Sequence, residues 1–407
     1  MTLTRWCVLA ALLGGCAAGR SGALDPSLVD APATSRVETD PTAVLAEGAG
    51  SLDPGIRAHA LAWLVRLDPA PGSGPWGPRA MWDPDAWVQR RCAEALLERP
   101  DDPVAVGLLE DLVRRATVDP YVRGAVALRL FRAGHTGAAA DLAREIAAER
   151  AHWRAAPLAL ALASQGDAAA SGRVATAVAS GALPLEPGFF DDIGSTGLTA
   201  LIPALVAGEA MAEPELVLSY AAARLTLGDA SADGTFRRAL ADDDPLVRLE
   251  AVLVLSKLDG PWLAPSSEEP MSPVVGPAVA SLLDRAVTLG PDLVRAQAQL
   301  VIASRDATAA AQIRAAWSSD DPEVRAMALR AVGPAAAALA ADKKALRALQ
   351  ALVVDAIADP SPSVRLEALR AATQLTWSEL PDGVTAALTD EAQSIRTEAA
   401  ALTLLTR

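Results

Sequence analysis

The chain has 407 residues and a formal net charge of −14; 51% of its residues are hydrophobic but only 4% are aromatic. Much of the apolar fraction is Ala, the strongest helix former, whereas a large sheet would need more Val, Ile, Tyr and Phe. The composition therefore favours helices, and an acidic surface that repels phosphate argues against nucleic-acid binding. The length exceeds that of one ordinary core, so it requires either several globular domains or a series of repeats.

The N-terminal stretch has the pattern of a bacterial secretion signal. Arg5 precedes an apolar run, Trp6 to Leu13, that is too short to cross a bilayer. The run ends in Leu-Gly-Gly-Cys, which resembles the lipobox of bacterial lipoproteins and implies that Cys16 becomes an acylated N-terminus. Because Ala17, not Asp, follows, we expect an outer-membrane anchor facing the periplasm. An ordinary secretory peptide with a coincidental Cys, or an early buried helix, is the alternative.

Three regions follow from this pattern. Residues 1–15 are assigned to a lipoprotein signal peptide. Residues 16–40 are small, polar and proline-containing, which predicts a flexible tether. Residues 41–407 contain a recurring phrase and are assigned to a single series of repeats.

The recurring phrase places Asp and Pro shortly before a Val-Arg or Ile-Arg pair. Copies include "DPGIRAHAL" from residue 53, "DPYVRGAVAL" from 119, "DPLVRLEAVLVL" from 244 and "DPEVRAMAL" from 321. Most successive copies are 30 to 34 residues apart; Val294 to Val324, for example, is a step of 30. A constant period of this size is typical of a solenoid, in which each unit packs on its neighbours.

The phrase has the chemistry of a helix start. Asp accepts hydrogen bonds from the free N–H groups of a first turn, and Pro fits the first helical position. In the copy at 244, Val247, Ala251 and Leu255 fall at i, i+4 and i+8 and form one apolar stripe. A second amphipathic stretch precedes the phrase, so each unit is predicted to be helix, Asp-Pro turn, helix. We therefore expect an all-α solenoid of about ten or eleven antiparallel helix pairs, with an extended curved surface and less regular units over 135–235.

The pattern D-P-x-V-R-x-x-A-x-x-A-L resembles the HEAT and HEAT-like (PBS-lyase-type) repeat family, although the 135–235 segment also fits other paired-helix repeats. In that family the Arg is structural and bonds turn oxygens or the Asp of an adjacent unit. The resemblance implies a ladder made of Asp53, Arg57, Asp119, Arg123, Asp244, Arg248, Arg295, Asp321, Arg325, Asp359, Arg365 and Arg396. The alternative is that these arginines bind an anionic ligand.

Two insertions interrupt the period, at 68–87 and 259–277. Their Pro and Gly content predicts loops. They contain Trp76, Trp82 and Trp262, which are candidate anchors for a protein partner because solenoid insertions often lie on a binding face. The alternative is that each Trp folds back over a helix end.

A column of side chains is predicted three positions after each Val anchor. It begins with His59 and Arg91 and continues to Glu250, Glu367 and Glu398. The three glutamates are candidate contacts for a partner with basic groups, and a simply solvated helix face is the alternative.

The sequence contains no recognisable motif for catalysis, metal binding or phosphate binding. The Asp runs lack the ligand spacing of a calcium loop and are predicted to cap helices. Cys92 falls on an apolar stripe, which predicts a buried residue; a reactive thiol is the alternative. We therefore expect a non-catalytic, membrane-tethered scaffold that uses no cofactor or metal and binds another envelope protein. A lyase-like enzyme, or a structural membrane-proximal protein using its Trp loops, remains possible on the sequence alone.

Overall fold

The computed structural model describes residues 40–181, 187–258, 309–377 and 379–406, together with positions 282, 283, 286, 297, 298 and 300. The described residues contain helices and turns and no strand, and the helices pack in adjacent pairs. The predicted all-α solenoid is therefore confirmed. Cys16, Arg295, Trp262, the signal peptide, most of the tether and the insertion at 259–277 lie outside the described residues.

The helices are numbered in chain order. From residue 40 to residue 258 they are α1 (Pro41–Gly48), α2 (Pro54–Leu67), α3 (Trp76–Met81), α4 (Ala86–Leu97), α5 (Pro103–Arg114), α6 (Pro120–Arg132), α7 (Ala139–Ala148), α8 (His152–Ala163), α9 (Ala168–Ala179), α10 (Pro187–Ser195), α11 (Ile202–Glu209), α12 (Pro214–Thr226), α13 (Asp233–Ala239) and α14 (Pro245–Leu258). From residue 309 onward they are α15 (Ala309–Trp317), α16 (Pro322–Arg330), α17 (Val332–Ala338), α18 (Lys343–Ala356), α19 (Pro362–Ala372), α20 (Asp382–Ala387) and α21 (Gln393–Leu405). Among the described helices, none is long and apolar enough to cross a membrane.

The Asp-Pro phrase starts the second helix of a unit. At α2, the Asp53 carboxylate accepts from the backbone N–H groups of Gly55 and Ile56 at 2.7 and 3.3 Å, and Pro54 is the first helical residue. Asp119 does the same for α6. Each such cap stabilises its helix by about 1 kcal/mol. All these turns lie between a first and a second helix, so they share one edge of the solenoid, which we call the Asp-Pro edge.

The second helices of successive units pack side by side. In this way α2 packs on α4, α4 on α6, α6 on α8, and further along the chain α16 on α19 and α19 on α21. The closest approach requires Gly124 of α6, where an added Cβ would lie 2.5 Å from the backbone of Pro157 in α8. The apolar stripes meet in one buried core that includes Leu61, Leu96 and Val126.

The irregular middle of the chain departs from this pattern at α10. Whereas α9 packs on both α8 and α11, α10 packs on α12 and touches α6. Aromatic contacts make these connections: Phe189 lies 5.8 Å from Tyr121 of α6, and Phe190 lies 4.3 Å from Tyr220 of α12, measured between ring centroids. The repeat phrase is weakest in this segment, and here aromatic side chains bridge helices that are not successive units.

The two ends of the repeat series pack against each other. The last helix, α21, contacts both α1 and α2. Elsewhere in the series, the second helix of a unit contacts both helices of the next unit. For example, α2 contacts α3 and α4. The first pair therefore acts as the unit that follows the last one. The sequence suggested an extended curved surface, whereas the first and last described units pack against each other. We call this contact the junction.

The sequence predicted that the insertion at 68–87 is a loop, but part of it is helical. It contains α3, which packs on α2, α4 and α5. Pro78 lies in the first turn of this short helix, where Pro is tolerated because the N–H it lacks has no helical partner. Arg79 fixes the helix by donating to the Ala49 carbonyl at 3.0 Å. The helix occupies the position of a first helix in its unit.

Candidate functional site

The arginines of the repeat phrase connect neighbouring turns on the Asp-Pro edge. Arg325 donates to the carbonyl oxygens of Ser319 and Asp320 in its own turn, at 3.0 and 2.9 Å. The same guanidinium donates to both carboxylate oxygens of Asp359 in the following turn, at 3.0 and 3.1 Å. Planar, bidentate pairing of this kind fixes the geometry of both partners. Each Arg thus connects its own turn to the next one.

Two further arginines repeat this arrangement. Arg365 pairs with Asp390 at 2.8 and 3.2 Å, and Arg57 pairs with Asp83 at 2.8 and 3.0 Å. Each also donates to two carbonyl oxygens of its own turn. Gln89 stands in the Arg place of the next unit and keeps only the turn bond, at 2.7 Å to the Asp83 carbonyl.

An arginine contact of a related kind crosses the junction. Arg396 of α21 donates to the carbonyl oxygens of Asp390 and Glu391 at 2.9 and 3.1 Å, and its Nη2 donates to Glu47 at the end of α1 at 3.0 Å. This is one bond to an exposed carboxylate, whereas Arg325, Arg365 and Arg57 each make a bidentate pair. The position of the paired Asp, six residues before the next ladder residue, is occupied here by Ser51.

The remaining ladder residues have other partners. Asp53, Asp119 and Asp321 cap their own helices, and Asp244 accepts from the N–H of Leu246. Among the predicted aspartates, Asp359 accepts from a ladder Arg, Arg325. Arg123 is buried and bonds the Val113 carbonyl at 2.6 Å and Glu145, while Arg248 donates to the Asp242 carbonyl.

Small and polar side chains form the centre of the junction. A Cβ added at Gly48 of α1 would lie 3.0 Å from Ala60 of α2 and 3.0 Å from the Thr397 hydroxyl of α21, so three helices meet there. Ser51 donates to Gln393 at 3.0 Å. The contact therefore consists of close backbone packing reinforced by side-chain hydrogen bonds.

An ion pair of His59 with Glu398 lies beside this contact. Burial alone would raise the pKa of Glu398, but the charges of His59, Arg370 and Arg91 outweigh it and hold the pKa below its usual value. Glu398 is 2% exposed. It is therefore a buried carboxylate that connects the first and last units.

The predicted glutamate column is mostly covered. Like Glu398, Glu367 is buried, and it accepts from Arg330 and Arg370 at 3.3 and 3.0 Å. Glu250 is half-buried. Burial removes Glu367 and Glu398 from the side chains that a partner could contact directly, because successive second helices pack too closely to leave this face open.

Cys92 is buried in the core against the Ala58 carbonyl, 3.9 Å from its sulfur. Burial raises the pKa of its thiol to about 12. Because the thiolate is the reactive form, this thiol is inert at neutral pH.

The tryptophans of the first insertion differ in exposure. Trp76 is half-buried and packs against the core, whereas Trp82 is 70% exposed and lies beneath the Arg115 guanidinium, 3.9 Å from the ring centroid. Two other large apolar side chains are exposed on adjacent turns: Leu52 at 98% and Trp87 at 46%. We call Leu52, Trp82 and Trp87 the apolar patch.

Hydrogen bonds from one arginine connect the turns that carry the apolar patch. Arg57 connects the Leu52 carbonyl to the Asp83 carboxylate, next to Trp82. Asp83 also accepts from the N–H of Asp85, which caps the helix that begins just before Trp87. The three apolar side chains therefore project from braced turns and not from a free loop.

Comparisons with known proteins give no identity. A scan against protein-family models finds no match, and a search of curated proteins finds no relative. Within the described part of the chain, no group of three or more His, Cys, Asp and Glu side chains is placed to hold a metal ion.

Proposed function

We propose that this protein is a non-catalytic scaffold, tethered to the bacterial outer membrane through acylated Cys16, that binds another protein of the cell envelope. One observation supports the binding role above all: the apolar patch is exposed on a braced surface. Large apolar side chains cost free energy when left in water, and aromatic residues on a rigid support are the side chains that most often anchor protein interfaces. The HEAT-like assignment is part of the proposal, and the turn-to-turn arginine contacts support it.

The surroundings of the patch favour a protein over a lipid surface. Glu391 and Glu47, on the neighbouring turn and helix end, have side chains that are 83% and 59% exposed. The whole chain carries a net charge of −14. Bacterial membranes that contain anionic lipid would repel such a surface, because basic and not acidic groups bind anionic headgroups.

Site-specific photo-crosslinking in the native organism tests the proposal. A photoreactive phenylalanine derivative at Trp82 is expected to give one dominant protein adduct. Met211 is the matched control, because it is also 70% exposed but lies after α11, far along the chain. Absence of a protein adduct at Trp82, or equal adducts at both positions, would contradict a docking role for the patch.

Membrane fractionation tests the tether separately. Cys16→Ser is expected to move the protein from the membrane to the soluble fraction, since loss of the acyl chains removes the anchor. Retention of the variant in the membrane fraction would contradict lipid anchoring without bearing on the docking surface.

A further inference from the structure

We propose that the docking surface spans the junction and takes a partner segment in which apolar side chains are flanked by Lys or Arg. This inference rests on the proposed function and specifies its partner. The apolar patch would bind the apolar side chains, and two exposed carboxylates would attract the basic ones: Glu47, on the same side of the junction as the patch, and Glu391, on the other side.

The ladder geometry places Leu52 and Glu391 at equivalent positions. Each is the residue five before a ladder Arg, and the carbonyl oxygen of each accepts a hydrogen bond from that Arg: Leu52 from Arg57, and Glu391 from Arg396. The helices that follow the two turns, α2 and α21, pack directly on each other. Packed helices lie about 8–10 Å apart, so the two turn tips are neighbours on the Asp-Pro edge.

The charges at this edge are complementary to a basic partner. Arg57 and Arg396 are mostly covered and engaged with Asp83 and Glu47, and Arg115 lies against Trp82. The Glu391 side chain is 83% exposed, and the Arg365 guanidinium lies 4.0 Å from its carboxylate. Exposed complementary charges speed association and select the partner more than they add affinity.

Binding and closure are therefore coupled. Ser51, next to Leu52, donates to Gln393, two residues after Glu391. Opening the junction would separate the apolar patch from Glu391. By thermodynamic linkage, a partner that needs both sides binds the closed form more tightly and stabilises it.

Selection from a random peptide library displayed on phage tests this inference. The target is the mature chain with Cys16→Ser, and the counter-selection target is the same chain carrying Leu52→Ser and Trp82→Ser. Enriched peptides are expected to contain Trp, Leu or Ile flanked by Lys or Arg. Their affinity for Glu391→Lys should fall about 2- to 10-fold, the effect of one exposed ion pair lost and replaced by repulsion.

Glu323→Lys is the matched control. Glu323 is exposed in the first turn of a second helix on the same edge, but it lies away from the junction, and its reversal changes the net charge equally. Glu47 is left unchanged because it braces Arg396. A bound peptide should also slow amide exchange in α1 and α21 together, which measures closure without any destabilising substitution.

The outcomes separate the two proposals. If no enriched peptide depends on Leu52 and Trp82, the proposed function itself fails. Three results would overturn only the present inference, with binding still dependent on the patch: enriched peptides that are acidic, peptides that bind Glu391→Lys and Glu323→Lys with equal affinity, or amide exchange in α21 that does not change on binding. Trp82-dependent binding to phosphatidylethanolamine–phosphatidylglycerol vesicles, or Trp82-dependent self-association in sedimentation, would overturn it in favour of a membrane or a second copy.

Discussion

Substitution of Gly48 tests whether the first and last units pack against each other at the junction. It is the last residue of α1, and its backbone lies against Ala60 of α2 and Thr397 of α21. In a helix that met no neighbour, replacing Gly by Ala would stabilise the fold by about 0.5–1 kcal/mol, through lower chain entropy in the unfolded state. At Gly48 the added Cβ would sit 3.0 Å from both neighbours, closer than ordinary van der Waals contact.

The expected size of the effect follows from this crowding. Overpacking of a filled site costs about 1–3 kcal/mol, so Gly48→Ala should destabilise the fold by about 1 kcal/mol and Gly48→Val by about 2–3 kcal/mol. Gly107→Ala in α5 is the matched control, because nothing lies within 4 Å of its added Cβ. That variant should gain about 0.5–1 kcal/mol.

Hydrogen exchange with mass spectrometry is the decisive measurement. Gly48→Val is expected to speed amide exchange in α1 and also in α21, which lies at the other end of the sequence. In an open solenoid, only α1 and the adjoining α2 would respond, because each unit would touch only its sequence neighbours. Faster exchange in α1 with unchanged exchange in α21, or equal stabilisation by Gly48→Ala and Gly107→Ala, would refute packing of the two ends.

Three further predictions concern contacts inside the fold. The folded pKa of Glu398 is held below its ordinary value of 4.5, so its charge stabilises the fold above that pH, and this stabilisation is lost as the pH falls through the folded pKa. In urea melts from pH 6 to pH 3, Glu398→Gln should therefore lose less unfolding free energy than the unmodified protein does. Arg57→Gln should lower the free energy of unfolding by about 2–3 kcal/mol in the same melts, because Gln retains a turn bond, as Gln89 does, but leaves Asp83 without its cation. Adding Asp83→Asn should recover part of that loss. Gly124→Ala should cost more than Gly48→Ala, since its Cβ would meet backbone at 2.5 Å; a lower thermal midpoint for the former checks this, and the reverse order would contradict the packing of α6 on α8.

Much of the fold follows from local sequence because its determinants are local. The Asp that caps a helix lies two or three residues from the N–H groups it bonds, as at Asp53 and Asp119, and the apolar stripe is read within one helix. The length of the repeat then follows from the number of residues between successive copies of the Asp-Pro phrase. For the same reason α3 was missed: its prolines and glycines indicate a loop locally, and only packing on α2, α4 and α5 makes it helical.

The junction could not be read from local patterns, because it joins residues more than three hundred positions apart. One signal was present in hindsight. Arg396 carries the ladder position in the last described unit. An Arg of this kind needs a partner, and Glu47 meets that need from the first helix. The predicted acids divide into two groups. Asp53, Asp119 and Asp321 cap their own helices, while Asp359 pairs with Arg325. At Arg57 the capping Asp53 and the Arg-binding Asp83 are different residues.

The junction also covers the apolar stripes of the first and last described units. An open solenoid needs end units with a polar outer face, because its terminal apolar stripes would otherwise meet water. Here Leu45 of α1 and Ile395 of α21 are both buried, so the first and last units cover each other.

The first helix also separates the start of the described chain from the turn that carries Leu52. Asp40 caps the start of α1, whereas the turn that carries Leu52 follows its end, about 12 Å away for an eight-residue helix. Asp40, the first described residue, therefore lies on the edge opposite the turn that carries Leu52.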